Sequence, residues 1–171
     1  MSQYRLLFQR IQNAVEQYRE RQRAASLDRV RTLLRDIGQA LVRAESREEI
    51  DRRVCEILSA AEPYQFVWVG EPDAETGTVV PRHGEGPGEA YLDGIEITTD
   101  DSATAEGPTA EAVRTREVSV TQNLATDASY TPWRDAALDR GFQSSAAIPL
   151  VYDETLFGVL NLYADRTDAF T

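Results

Sequence analysis

Tyr4, Leu7, Ile11, Ala14 and Tyr18 recur at steps of three and four residues, and the stripe resumes as Val30, Leu34, Ile37 and Leu41. Such spacing stacks apolar side chains on one helical face. It predicts one long helix, or two joined weakly near Ser26, where the stripe slips. Residues 1–62 hold no Pro, and Gly38 is their one Gly, so nothing in that stretch forces a break. A slip of this kind acts on a heptad seam as a stutter. Glu16 and Glu20, Arg19 and Arg23, and Arg31 and Arg35 fall on the polar side. The stripe is longer than one small domain can cover. It therefore predicts a parallel coiled-coil homodimer through residues 4–41, able to carry a signal along its axis. Packing of the helix on its own domain is the alternative.

Ser46-Arg47-Glu48-Glu49 is a capping box, and the helix behind it is expected to bury Ile50, Val54, Ile57 and Leu58 before Pro63 stops it. Cys55, inside that helix, reads as a small half-buried residue. Beyond Pro63 the apolar period changes to two. Phe66–Gly70 and Thr78–His83 read as strands around a turn at 72–77, followed by a flexible Gly84–Gly88 connection. Ile95 and Ile97 suggest a weak third strand. Gly107-Pro108-Thr109 opens a helix running to Arg114, with Pro108 where its missing N–H costs least. Val118–Thr121 reads as a strand, 123–132 as a loop, and Trp133–Arg140 as a helix capped by Gly141. Two apolar runs, Ser145–Val151 and Leu156–Tyr163, then flank a polar turn at Asp153 and Glu154, the signal of a hairpin. This order predicts an α+β fold: a central antiparallel sheet of five or six strands with helices on its faces, preceded by a long N-terminal helix. Residues 1–44 form the signalling helix and 45–171 the globular domain.

Charge narrows the setting. All eighteen basic residues are Arg, none is Lys, and the net charge is −11. Residues 1–60 carry twelve Arg against nine acids, whereas 61–171 carry six against twenty. So acidic a domain repels itself unless salt shortens the screening length to about 3 Å. A Lys-free acidic surface fits a high-salt cytoplasm, and stability is expected to rise between low salt and molar KCl. A biased codon supply is the rival explanation. The acidic surface argues against nucleic-acid binding by the globular part. The chain has no apolar run of roughly 18 residues, which argues against membrane contact. A single Cys leaves no intramolecular disulfide and no Cys-based metal cluster.

Several blocks, in their order and spacing, resemble the GAF family of sensor domains. They are Phe66-Val67-Trp68-Val69 after the opening helix; Gly107-Pro108-Thr109 with Ala112-Val113-Arg114-Thr115 and Val118-Ser119-Val120; and above all Trp133 to Phe170. The last block has Gly141 and Ser145 ahead of Ile148-Pro149-Leu150, a polar turn, Leu156-Phe157-Gly158-Val159-Leu160, an aromatic Tyr163 and the closing Phe170. The resemblance implies a GAF/PAS-like sheet and a regulatory, non-enzymatic role. It also implies a further C-terminal helix that this chain lacks, and neighbouring signalling domains in a longer parent. With the salt signature, that parent resembles haloarchaeal transducer-like, histidine-kinase or opsin-activator-like regulators.

The family's familiar chemistries fit poorly. Bilin attachment needs a Cys near the pocket, and Cys55 lies on the wrong helix. Methionine-sulfoxide reduction uses several Cys. The cyclic-nucleotide signature includes a Lys, and there is none. No covalently bound cofactor is expected. His83, the one histidine, reads as an exposed loop residue and not a haem ligand; Asp100, Asp101, Glu106 and Glu111 read as solvated surface and not a cation site. What remains is a non-covalent small-molecule ligand held between the sheet and residues 97–140. Trp68, Tyr91, Tyr130, Trp133 and Phe142 would wall it, and Ser144, Ser145 and Asn161 would orient it. A ligand-free dimerisation module, or an enzyme of unrecognised type, are the alternatives.

Overall fold

The slip near Ser26 does not break the helix. The computed structural model describes residues 2–99 and 103–170, with side chains for all of these but 2–9, 11, 89 and 103. Its first element, α1, runs unbroken over Ser2–Arg43. Tyr4, Leu7 and Ile11 of the apolar stripe thus lie outside the described side chains. Further along, Tyr18 is 64% exposed and Leu34 65%, with Leu27 and Val30 also exposed. The chain divides into two compact units, Met1–Gln39 and Ala40–Thr171.

Helix α2 (Arg47–Ser59) starts at the capping box. Ser46 Oγ accepts from the Glu49 N–H at 3.1 Å, and the Glu49 carboxylate accepts from the Glu45 N–H at 3.0 Å. Its inward side is Asp51, Cys55 and Leu58, while Ile50, Val54 and Ile57 are only partly covered. The helix is turned from its purely apolar face because Asp51 is drawn onto an arginine of the sheet.

Five described strands form one sheet: β1 (Tyr64–Asp73), β2 (Thr78–Glu85), β3 (Ser119–Thr121), β4 (Ser144–Tyr152) and β5 (Thr155–Ala164). The order is β2-β1-β5-β4-β3, antiparallel throughout. Ile95 and Ile97 add no sixth strand. The Val79 N–H reaches Ile97 O at 2.9 Å, and one isolated bridge joins Thr78 to Thr98. The expected flexible glycine connection is also corrected. Gly84 and Glu85 belong to β2, and Gly86 and Gly88 lie so close to the Gln65 backbone and the Phe66 ring that a Cβ would collide. This packed corner leads into α3 (Glu89–Leu92).

Period-two alternation divides the sheet residues between its faces. Phe66, Trp68, Ala147, Val159 and Tyr163 join one core with residues of α3, of α4 (Pro108–Thr115) and of α5 (Arg134–Leu138). Val67, Val69, Leu160 and Leu162 are buried on the opposite face, where α2 packs on β1 and β2. Three register shifts interrupt the ladders: one at Gln65, between Tyr64↔Ala164 and Phe66↔Tyr163, and two bulges in the β1–β2 and β4–β5 ladders. Arg82 is the extra residue between the pairs Val69↔His83 and Gly70↔Pro81, and Phe157 the extra residue between Leu150↔Gly158 and Val151↔Leu156. Each extra residue is freed from pairing and can be re-aimed.

Candidate functional site

On the core side, two cross-strand rows supply the floor of a site. Trp68 pairs with Asn161 across β1 and β5, and Phe66, Tyr163 and Ser145 make the neighbouring row. Helix α3 places Tyr91 above them, and the first turn of α4 adds Gly107, Pro108 and Thr109. A 3-10 turn at Ala128–Trp133 contributes Tyr130 and Trp133. Of these groups Tyr91, Gly107, Pro108, Thr109, Tyr130, Trp133 and Tyr163, together with Ile95 and Ile97, line a cavity of about 10 Å³. That is space for about one water molecule.

The polar atoms around it are buried and uncharged. The Tyr91 and Tyr130 hydroxyls bond to each other at 2.9 Å, and Tyr163 brings a third phenol to them. Thr109 Oγ1 donates to Asn161 Oδ1 at 2.8 Å. The Trp133 Nε1–H donates to Glu96 O at 3.1 Å, and its ring rests on Gly107, where a Cβ would land within the indole. Burial holds all three phenols above their ordinary value; at Tyr163, donors on Tyr130, Trp68 and Tyr91 oppose that rise. The hydroxyls stay protonated at neutral pH and can donate. Two buried groups on this side make no hydrogen bond of normal geometry: the Trp68 indole N–H, which bears on the Tyr163 phenol, and the Ser145 hydroxyl.

Of the residues expected to form a pocket, Tyr91, Tyr130 and Trp133 line the cavity itself. Trp68 and Phe142 are fully buried in the core behind it, Phe142 stacked on Phe66 at 5.8 Å. Asn161 lies under Thr109, and Ser145 lies beside Tyr163 in the floor. Ser144 is not brought into this group: it follows the opposite alternation along β4, and its hydroxyl donates to Arg166 O at 2.7 Å. Tyr163 and Thr109 were not singled out from the sequence. The period-two rule that selects Asn161 also places Tyr163 on its face, so that signal was available. Thr109 is fixed by tertiary packing of α4 and has no comparable local mark.

The opposite side of the sheet carries charge. Arg82 Nε and Nη2 grip the Asp51 carboxylate at 2.8 and 3.0 Å; its Nη1 reaches Glu71 at 3.3 Å and Phe157 O at 2.8 Å. Arg47 also donates to Phe157 O and sits 3.4 Å from Glu71. The extra residues of both bulges therefore meet here. Gly158 permits it, since a Cβ there would lie 2.8 Å from Gly70 O and 3.3 Å from the guanidinium. A surface hollow of about 370 Å³ opens beside this network.

The remaining reactive groups do not converge. His83 lies in the second strand as expected, but β2 runs on to Glu85 and the side chain is half-buried and not exposed, 3.7 Å from Glu85 and outside the cavity wall. The Cys55 thiol is fully buried and pushed up to about 12, first by burial and then by Asp51, so it stays protonated and unreactive. Asp100 and Asp101 lie outside the described residues, and Glu111 accepts from the Ser119 hydroxyl. Among the described residues, no group of three His, Cys, Asp or Glu could hold a metal ion, and no helix is long and apolar enough to cross a membrane.

A five-stranded antiparallel sheet with helices on both faces and an aromatic cavity on one side defines a small α+β domain. The sequence model of the GAF domain matches residues 44–171, and the chain belongs to that family. It is similar to the bacterioopsin transcriptional activator of Halobacterium salinarum, 31% identical over 134 residues, which are 78% of this chain and 18% of that protein. The chain thus spans about a fifth of that relative's length. Solved structures share the fold. The GAF domain of a phosphoenolpyruvate-protein phosphotransferase from Coxiella burnetii matches with a TM-score of 0.65 at 18% identity, covering 79% of this chain and 77% of that one. The free methionine-R-sulfoxide reductase of Neisseria meningitidis, in complex with its substrate, matches with a TM-score of 0.65 at 16% identity, covering 82% and 76%. At such identities the likeness concerns the fold alone.

Proposed function

We propose that this chain is the sensing module of a larger cytoplasmic signalling or transcription-regulating protein, and not an enzyme. A small molecule taken up between the sheet and the α3–α5 side biases two packings of that side, and α1 passes the change to neighbouring domains. The observation that carries this reading is the neutral aromatic cavity walled by Tyr91, Tyr130, Tyr163 and Trp133, with the Trp68 indole N–H buried in the core behind it and short of a hydrogen bond of normal geometry. A buried donor short of a bond costs up to about 1–3 kcal/mol, and a repacking that gives it an acceptor recovers that cost. The exposed Tyr18, Leu27, Val30 and Leu34 support the transmitting part, a homodimer through residues 4–41.

The second reading is a ligand-free dimerisation module whose interior is filled by its own side chains. The small size of the cavity, about 10 Å³, favours it. Native mass spectrometry of protein purified from a high-salt host separates the two. A dimer retaining an extra small mass supports sensing. A dimer with nothing bound supports the interaction module, and a bare monomer removes the coiled-coil mechanism as well.

A further inference from the structure

Resting on the homodimer reading, we infer that the tip of the β4–β5 hairpin is a docking surface for a second copy of this chain, and that Tyr152 and Phe157 close over Val42 of the partner subunit. Two exposed apolar sets meet at one end of the domain. The first is the tip itself. Ala147 faces the aromatic core, so period two along β4 places Ile148, Leu150 and Tyr152 on the α2 side. Helix α2 packs on β1 and β2, at the other edge of that face. Tyr152 is accordingly 78% exposed, and Phe157 beside it is exposed as well.

The second set closes α1. Leu41 continues the stripe of Val30, Leu34 and Ile37 that a coiled coil turns toward its partner helix. Val42, one position on, points about 100° away from that seam and is 88% exposed. Pairing of the helices alone therefore leaves Val42 bare. Arg47, five residues beyond it, donates to the Phe157 carbonyl. Five residues span at most about 18 Å, so both sets lie at the same end.

Symmetry then selects the occupant. A parallel two-stranded coil brings the two Arg43 ends level and side by side. Each hairpin is tied to its own junction through Arg47, so it stands beside the partner's junction too, and a two-fold axis makes the contact reciprocal. Charge agrees. Asp153 and Glu154 at the tip are exposed carboxylates, and Arg43, in the last turn of α1, is an exposed cation. Residues 44–171 carry nine Arg against twenty-five acids, whereas 1–43 carry nine against four. Two such domains repel each other, but an acidic tip is attracted to a basic helix end. In molar salt the charges set orientation and the apolar contact sets strength.

The test places the photo-reactive p-benzoylphenylalanine at position 152 of the full chain and irradiates it in molar KCl. The expected product is a covalent dimer whose cross-link maps by mass spectrometry to residues 40–46 of the second copy. Tyr152→Ser should weaken dimerisation by at least about tenfold, the worth of one aromatic side chain left unburied. Leu138→Ser, at an exposed residue of α5 on the other side of the sheet, should leave dimerisation unchanged. Circular dichroism establishes that each variant folds. A cross-link within one chain, a cross-link to another segment, or unchanged dimerisation in Tyr152→Ser overturns the docking surface. Native mass spectrometry locates the failure. A dimer without the cross-link removes the hairpin contact and keeps the α1 homodimer, whereas a bare monomer removes both.

Discussion

The two sides of the sheet each bury polar groups, but in opposite ways. On the α2 side Arg82 joins two carboxylates and a carbonyl from three separate elements in one network, and the buried atom left over beside it is the His83 Nε2. On the aromatic side the groups are neutral, and a donor and a hydroxyl make no hydrogen bond of normal geometry. A charge-paired network fixes one arrangement, whereas an incomplete one is costly as it stands and can be settled by a guest or a rearrangement. The charged side is accordingly the anchor and the aromatic side the part with room to change. The anchor also ties α2, which follows α1 by a short cap, to the bulge carbonyl of the β4–β5 hairpin.

Alkali should separate the two sides with the largest effect. Tyr91, Tyr130 and Tyr163 all have raised values when folded, against about 10 unfolded. Their contribution to stability is fully present below about pH 10 and is lost as pH rises above it, because the unfolded chain then releases protons the folded chain keeps. Each phenol adds about 1.4 kcal/mol per pH unit to that loss, so three together approach about 4 kcal/mol per unit. Cys55, raised to about 12, adds a shallower decline that begins near pH 9. Urea unfolding from pH 8 to 11.5 should show the slope steepening above pH 10, with Tyr163→Phe removing about a third of it. An unchanged slope in that variant would mean the phenols are not protected from ionisation.

Next in size is the anchor. Arg82→Met leaves Asp51, only 7% exposed, buried without its counter-charge. The expected loss is about 3–5 kcal/mol, while Asp51→Leu combined with Arg82→Met should come back to within about 1 kcal/mol of the parent. Urea midpoints of the three proteins test this. A single-variant loss under about 1 kcal/mol, the range of an exposed pair, would make the network ordinary surface.

A smaller effect is expected at Gly107. Ala there drives a methyl into the Trp133 ring, so the turn must shift at a cost of about 1–3 kcal/mol, with a red shift in indole emission as Trp133 moves outward. Blue-shifted or unchanged emission would mean that the turn is too well held to take part in a repacking of that side.

These contrasts also mark what local sequence could reveal. The helices, the hairpins and the capping box follow from period, caps and turn residues, which act within a few positions. Asn161 and Trp68 were readable because they alternate along strands with one face in a core, and Tyr91, Tyr130 and Trp133 because large aromatic side chains tend to be buried wherever they fall. Asp51 and Arg82 were not, because a buried ion pair contradicts the apolar rule at both positions and is resolved by a contact 31 residues apart. The bulges that deliver Arg82 and Phe157 to one point leave no mark in a single strand. The packing of Gly86 and Gly88 likewise depends on Phe66, so a rigid corner read as a flexible link.

The smallest effect concerns the hairpin that carries Phe157. Asp153 and Glu154 form its two-residue turn with φ of 48° and 63°, a left-handed geometry that Asn-Gly adopts at lower cost. Asp153→Asn with Glu154→Gly should stabilise the domain by about 0.5–1 kcal/mol, acting on the strand end behind the anchor. Because Tyr163 lies near the far end of β5 from this turn, and Tyr91, Tyr130 and Trp133 lie on other elements, the indole emission and the alkaline slope should stay as in the parent. If the double variant stabilises the domain and also alters that slope, the hairpin is coupled across the sheet, and the anchor and the cavity are one cooperative device.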